Sequence, residues 1–275
     1  MTSRTLLPSG IGTLGVILAA MAAVALLETA IPLQARGRWN RAHLGPNLAL
    51  TFMTFATNVL FNGALVMALH SNRFGLLHWF ALRPPVTVVI VVVVLDFSFY
   101  VAHVAMHRIP SFWRFHRVHH SDPAVDVTTT IRQHPGEGVI RYAFMAAFAS
   151  ALGASPGTFG VYRMWSALNG LLEHANIRVP GWLDRGLSLV TTWPNMHKVH
   201  HSRSASETDT NYGNIFSLFD RVFRTFTPAR QGANVRYGLD GFDDPVTQTT
   251  AGLLAVPFRD TRPSDEPALV ARPSG

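Results

Sequence analysis

The chain has 275 residues, of which 48% are hydrophobic and only 14% charged, and its formal charge of +7 is carried almost wholly by arginine, Lys198 being the one lysine. So low a charged fraction, against roughly 25% in soluble domains, points to a membrane protein. The absence of cysteine excludes disulfides, iron–sulfur clusters and thiolate nucleophiles within the chain, and without a Lys/Arg tract interleaved with aromatics no nucleic-acid partner is expected.

Apolar runs at 11–33, 48–69 and 86–106 are each about twenty residues long, enough for a helix to cross ~30 Å of hydrocarbon. The first, broken by Glu28 and Pro32, follows only Arg4 and lacks a small-x-small exit, so it reads as a membrane helix rather than a cleaved signal. A fourth region, 139–172, is interrupted at "GASPG"; two arms of about fifteen residues predict a helical hairpin that dips into the membrane and returns. The last stretch mixes "GLDGFDDP" and "GLLAVPF", expected to dock, with a Pro/Ser-rich end of disordered composition. The expected organisation is an all-α polytopic bundle: membrane helices in 1–95, a catalytic region in 96–227 containing the hairpin, and a docking segment and tail in 228–275.

Arginine sets the expected orientation. Arg36, Arg38 and Arg41 follow the first run, against Arg4 before it and Arg73 and Arg83 in the next loop, and the third run exits into Arg108, Arg114 and Arg117. By the positive-inside rule everything after His103 is cytoplasmic, hairpin ends included. The expected location is therefore a bacterial inner membrane, with a histidine-rich helical metal domain on its cytoplasmic face.

Thirteen histidines occur, and their spacing is not random. "HVAMH" places His103 and His107 on one helical face. "FHRVHH" and "HKVHH" repeat His-x-x-His-His at His116, His119, His120 and at His197, His200, His201, and His174 ends "EHAN". Positions i, i+3 and i+4 form one patch on a helix. Neutral imidazole ligates zinc, copper, iron and nickel, and nine of them exceed the needs of one ion, so two metals are expected. His134 in "RQHPGE" is a further candidate. No His-Glu-x-x-His motif is present, which argues against a zinc protease. Glutamates are too few for a carboxylate-rich di-iron bundle.

The set "DFSFYVAHVAMH", "FHRVHH", "RQHPGE", "EHAN", "HKVHHS", "NYGN" and "SLFDRVFRTF" resembles the fatty acid hydroxylase/sterol desaturase superfamily of integral membrane di-iron enzymes, over about half of the chain. The resemblance implies that the nine clustered histidines hold two iron ions, with zinc as a substitute in purified protein. It also implies O2-dependent attack on a C–H bond of a fatty acyl, sterol or other isoprenoid lipid. Two departures stand out: Arg224 where members often carry Gly, and Gly170 where some relatives carry another His, which would leave the coordination one ligand short.

Around the ligands, Asp96 is an acid in an apolar helix, seven residues before His103. It is expected to orient a ligand imidazole through the ring N–H, with Tyr100 between them. Glu173 and Asn169, at i and i+4 before His174, either support the ligands or cap the hairpin. Asn211 and Tyr212 are expected in a turn packing the metal helices, and Asp220 in an ion-pair patch with Arg221 and Arg224. Arg163, inside the second hairpin arm, has no assigned role. Zinc cannot activate O2, so the iron reading entails an external electron donor, such as a cytochrome b5, ferredoxin or reductase. Hydroxylation is favoured; a desaturase, a metal-bound-hydroxide hydrolase and a non-redox metal-binding scaffold are the alternatives.

Overall fold

The computed structural model describes residues 10–35, 42–228 and 234–259. Arg4, Arg36, Arg38 and Arg41, on which much of the orientation argument stands, lie outside the described residues, as does the Pro/Ser-rich tail. Among the described residues the regular elements are helices, joined by loops that form two isolated β-bridges, Pro32–Ile177 and Thr191–Phe216. The principal helices are α1 (Gly10–Ala30), α2 (Leu44–Ser71), α3 (Pro84–Arg108), α4 (Pro110–His120), α5 (Pro135–Leu152), α6 (Pro156–His174), α7 (Gly181–Leu187) and α8 (Pro194–His200). The short α9 (Ala205–Thr208), α10 (Leu218–Val222) and α11 (Thr250–Ala255) follow.

Proline punctuates this order. Helices α3, α4, α5, α6 and α8 all open on it, where the missing N–H costs nothing and φ is already helical. Pro110 separates α3 from α4 after a single extended residue, Ile109, so the His103/His107 face and the first His-x-x-His-His segment sit on two helices joined by a sharp corner. Gly153 ends α5 with φ 76°, a left-handed cap that suits glycine. Ser155 then accepts from the Thr158 N–H at 3.2 Å to start α6.

Helices α1, α2 and α3 are long and apolar enough to cross a membrane. Many of their side chains point outward, Leu60 being 71% exposed and Met67 68%, as hydrocarbon solvent requires. We read the chain as an integral membrane protein. The expected hairpin is two helices of 18 and 19 residues, longer than the apolar runs because they extend to Pro135 and His174. Its arms pack chiefly against α3 rather than against each other. Leu65, Leu69, Val91, Leu95, Tyr142, Met145 and Phe159 form the core there.

Helix α1 lies against α6 and the 127–131 turn through Ile17, Met21, Val127 and Leu171. The buried Glu28 carboxylate secures its end, accepting from the N–H groups of Val127 (2.8 Å) and Asn176 (2.9 Å). Near the C-terminus, Phe242, Leu253 and Val256 pack with Leu50 of α2 and Val118 of α4, and Arg117 donates to the Val256 carbonyl at 2.6 Å.

Candidate metal centre

The nine histidines of the sequence motifs are all buried, and they sort into two groups. His103, His107, His116, His120 and His200 form one; His119, His174, His197 and His201 form the other. Within each group one nitrogen per ring lies within 4.8 Å of the rest. Helical geometry explains the doubled histidines. Adjacent helical residues point about 100° apart, so His119 and His120 of α4 face different groups, as do His200 and His201 at the end of α8. Each His-x-x-His-His segment thus serves both groups. The first supplies two rings to the five-membered group, and the second supplies two to the four-membered one.

Hydrogen bonds decide which nitrogen faces inward. The Nδ1–H of His103 donates to the Tyr212 carbonyl (2.8 Å), that of His174 to Gly170 (2.8 Å) and that of His200 to Thr210 (2.7 Å). A neutral imidazole has one N–H, so Nε2 of these rings presents a lone pair. The Nε2 atoms converge. Around His174 Nε2 lie those of His197, His119 and His201 at 3.0, 3.1 and 3.2 Å. In the other group, His116 Nε2 lies 3.1 Å from that of His103 and 3.2 Å from that of His120, while the buried Nε2 atoms of His107 and His200 have no hydrogen-bond partner.

Lone pairs held that close repel unless a cation lies among them. Metal–nitrogen bonds of ~2.0–2.1 Å at right angles put neighbouring ligand atoms ~3 Å apart, so the donor sets fit two metal ions. Burial, then the charges of neighbouring rings, hold His119, His120, His197 and His201 well below the usual histidine range, and His200 at about 3. They stay neutral and ready to ligate.

Carboxylates stand behind the rings. Asp209 Oδ1 is 3.2 Å from His107 Nδ1, and Glu137 Oε1 is 3.3 Å from His116 Nδ1. Glu173 Oε1 is 3.8 Å from His174 Nδ1 and 3.9 Å from His197 Nε2, so of the four supporting candidates Glu173 is the one the fold brings to the rings. Burial raises the Asp209 carboxyl to about 6. Sequence reading assigned Asp209 no role, since nothing periodic links it to position 107.

Three expectations are corrected. Asp96 does not touch a ligand ring; its two oxygens accept from the N–H groups of Ile215 (3.1 Å) and Phe216 (2.9 Å). The 211–216 loop packs on that face of α3, and its unpaired backbone donors claim the carboxylate. Tyr100 hydrogen-bonds Thr225 Oγ1 at 3.0 Å and meets the centre only through the Tyr212 ring. His134 caps α5, its Nδ1 accepting from the Gly136 N–H at 2.9 Å, and belongs to neither histidine group. Asp220, too, serves the loop: it accepts from the N–H groups of Tyr212 and Gly213, both at 2.8 Å. Asp96 and Asp220 therefore hold the loop whose Tyr212 carbonyl orients His103.

The two sequence departures have physical counterparts. At Gly170 an added Cβ would meet Thr130 Cγ2 at 3.2 Å, so Thr130 occupies the space a larger side chain would need, and the group there has four rings. Arg224 adopts φ 59°, the left-handed conformation that glycine takes without penalty.

A second polar cluster adjoins α4. The buried Asp122 carboxylate accepts from His43 Nδ1 (2.8 Å), Asn47 Nδ2 (2.9 Å) and Thr129 Oγ1 (2.8 Å). Arg132, fully buried, donates to Val118 O, Asn47 Oδ1, Ser121 Oγ and Gln248 Oε1 at 2.7–3.0 Å. Burial opposes the Asp122 charge, but Arg132 and His43 hold its carboxyl below the usual carboxylate range. Burial likewise opposes charge on His43, which Asp122 and Asp126 nevertheless raise to about 10. Lys198, between ligand candidates on α8, is buried and donates to the carbonyls of Val125 (2.8 Å) and His174 (2.5 Å).

Known proteins are similar to this chain in sequence. The fatty acid hydroxylase family model matches residues 88–225, half of the chain. An alkylglycerol monooxygenase of Caenorhabditis elegans is 32% identical over 148 residues, which are 52% of this chain and 28% of that protein. An ornithine lipid hydroxylase of Rhizobium tropici is 32% identical over 172 residues, 62% of this chain and 50% of the relative. A cholesterol 25-hydroxylase-like protein of Danio rerio is 28% identical over 134 residues, 47% and 51% of the two chains. The chain thus spans about half or less of the length of these relatives. No solved structure matches. The matched span runs from α3 to Thr225 and takes in both histidine groups, and by that match the chain belongs to the fatty acid hydroxylase family.

Proposed function

We propose that the protein is an O2-dependent lipid hydroxylase in which each histidine group holds one iron ion. The observation that carries this is the convergence of nine buried histidine rings in two groups at the end of α3, a helix of membrane-spanning length. Names of the relatives, all lipid hydroxylases or monooxygenases, support the reaction class. Iron bound there would supply the redox chemistry that converts an unactivated lipid C–H to an alcohol with O2. The balance is one oxygen atom into product and one into water, with two electrons and two protons from an external donor such as a cytochrome b5, ferredoxin or reductase.

The chain's own part is positional. Carbonyls of Tyr212, Gly170 and Thr210 commit Nδ1–H and leave Nε2 free. Asp209 and Glu137 back His107 and His116, the arrangement by which outer carboxylates raise ligand basicity. Glu173, buried with Oε2 unpartnered, is a candidate to hold a proton beside the four-ring group. The apolar walls of α3, α5 and α6 would exclude water and hold the lipid chain. In this reading 1–95 anchors the chain, 96–227 is catalytic with the α5–α6 pair entering the bilayer, and 228–259 docks. The metal face is cytoplasmic and the membrane is the bacterial inner membrane.

The test is turnover of the iron-loaded, chemically reduced protein on membrane lipid under 18-O2. An alcohol carrying the label is expected. An unlabelled alkene selects desaturation, and no O2 uptake by demonstrably reduced protein defeats the oxygenase reading.

A further inference from the structure

Arg163 lies halfway along α6, in a segment with no other ionisable side chain until Glu173 except Tyr162. It bounds a narrow cleft where α3, α5 and α6 meet, lined by Leu95, Ser98, Phe99, Met145, Arg141 and Arg163 among others. The cleft exists because the two hairpin arms pack on α3 rather than on each other. Leu95, Ser98 and Phe99 fall at i, i+3 and i+4 on α3, and one more turn along that stripe comes His103, whose ring is 5.5 Å from that of Phe99. The cleft therefore opens one helical turn from the five-ring group.

One of its charges has no ion-pair partner among the described residues. Arg141 lies over the Phe99 ring at 4.9 Å and its Nη1 is 3.8 Å from Glu137 Oε1. That carboxylate also faces His116. Arg163 lies over the Tyr142 ring at 5.2 Å, and its buried Nε has no hydrogen-bond partner. The Ser98 hydroxyl and the Tyr142 hydroxyl are buried and unpartnered as well. Arg141 thus has Glu137 beside it, whereas Arg163, among the described residues, has no carboxylate within ion-pair distance in this apolar setting. An unpaired charge there is costly and marks a function. Guanidinium also pairs two N–H groups with two oxygens of a carboxylate or a phosphate.

We propose that this cleft receives the ionised carboxylate or phosphate of the lipid substrate, with Arg163 and Arg141 as its counter-charges. The substrate class is then an acidic lipid, held by its head beside α3 with its chain directed along the stripe toward the histidine centre. This assignment rests on the lipid-oxygenase reading above.

Binding without turnover tests it. Full-length, metal-loaded protein in detergent, kept anaerobic, is titrated with oleate against methyl oleate, and with phosphatidic acid against diacylglycerol. One charged probe should bind about ten-fold more tightly than its neutral partner, the effect of a charge-assisted hydrogen bond. Arg163→Gln should erase that preference while metal content and methyl oleate binding stay unchanged; Arg163→Lys should keep part of it. Equal binding of charged and neutral probes overturns the proposal, as does a preference that survives in both Arg163→Gln and Arg141→Gln. Displacement of the charged lipid by equimolar inorganic phosphate also overturns it, because the cleft would then be a site for a free anion. Since no turnover is involved, a failed 18-O2 experiment leaves this result standing, and the reverse also holds.

Discussion

Two buried polar clusters lie side by side on α4 and differ in one respect: whether the protein alone satisfies them. Around Asp122, donors and acceptors match. Arg132 and His43 supply the positive charge, and Asn47, Ser121, Thr129 and Gln248 complete the bonding. Around His174 and His116 they do not match, because lone pairs face lone pairs at 3.0–3.2 Å. Buried polar groups without partners are costly. A cluster that balances internally reads as framework, and one that does not reads as a site with an occupant missing from the polypeptide. The same logic separates the Arg163 cleft from the Asp122 cluster.

The largest effect should come from breaking the unbalanced cluster. His200→Ala removes one ring of the five, and His119→Ala one ring of the four. Each should lower metal content from two ions per chain to one by elemental analysis, with hydroxylation reduced at least ~10²-fold and the protein still membrane-inserted. Two metals retained in both variants would contradict the grouping. A chelator should remove metal from the wild type without disturbing the Asp122 cluster.

Breaking the balanced cluster should do the converse. Asp122→Asn leaves Arg132 buried without its anion and His43 with Asp126 alone, a change that costs about 3–5 kcal/mol. Stability should fall while the folded fraction keeps both metals. The cluster also has a pH signature. His43 has a folded-state value raised to about 10 above an unfolded value of about 6.5. Its contribution is fully present below the unfolded value and is lost as pH rises from about 6.5 through about 10. The depressed Asp122 carboxyl acts oppositely, contributing above about pH 4 and losing that contribution as pH falls through its folded value. Thermal unfolding in detergent should therefore show declining stability on the alkaline side, and His43→Gln should flatten that decline. An alkaline limb unchanged in the variant would detach His43 from the balance.

The difference between the clusters also governs what could be read in advance. The histidine groups come from short repeated motifs on helices, where spacing alone states which faces coincide. The three long apolar runs were legible for the same reason, since their signal is local. The Asp122 cluster draws on His43, Asn47, Asp122, Arg132 and Gln248, spread over some two hundred positions with no period connecting them. Only tertiary packing assembles it. Asp96 shows the boundary between the two cases. It stands seven residues before His103 on the same helix, but the element packed against it has no signature in the local sequence, and the 211–216 loop claims its oxygens. Asp209 and Lys198 were missed likewise, one lying 102 residues from its ring and the other bonding two carbonyls.

The smallest predicted effect lies outside both clusters, at the end of the loop that orients the histidines. Arg224 is exposed and left-handed at φ 59°, a conformation that costs a side-chain-bearing residue roughly 1–2 kcal/mol. Glycine removes that cost but adds about 0.5–1 kcal/mol of unfolded-state entropy, so Arg224→Gly should stabilise the protein by about 0.5–1 kcal/mol. Arg224→Ala, which keeps the strain, should not. Neither variant should change metal content, because the Tyr212 and Thr210 carbonyls are fixed by Asp220 and by the turn at Asn211, whose amide donates to Met196 and Thr227 carbonyls. Chemical denaturation with metal analysis on the same samples reads both quantities. If Arg224→Gly lowered metal content, the loop would be held by its strained end rather than by its two carboxylates, and the roles given to Asp96 and Asp220 would have to be reassigned.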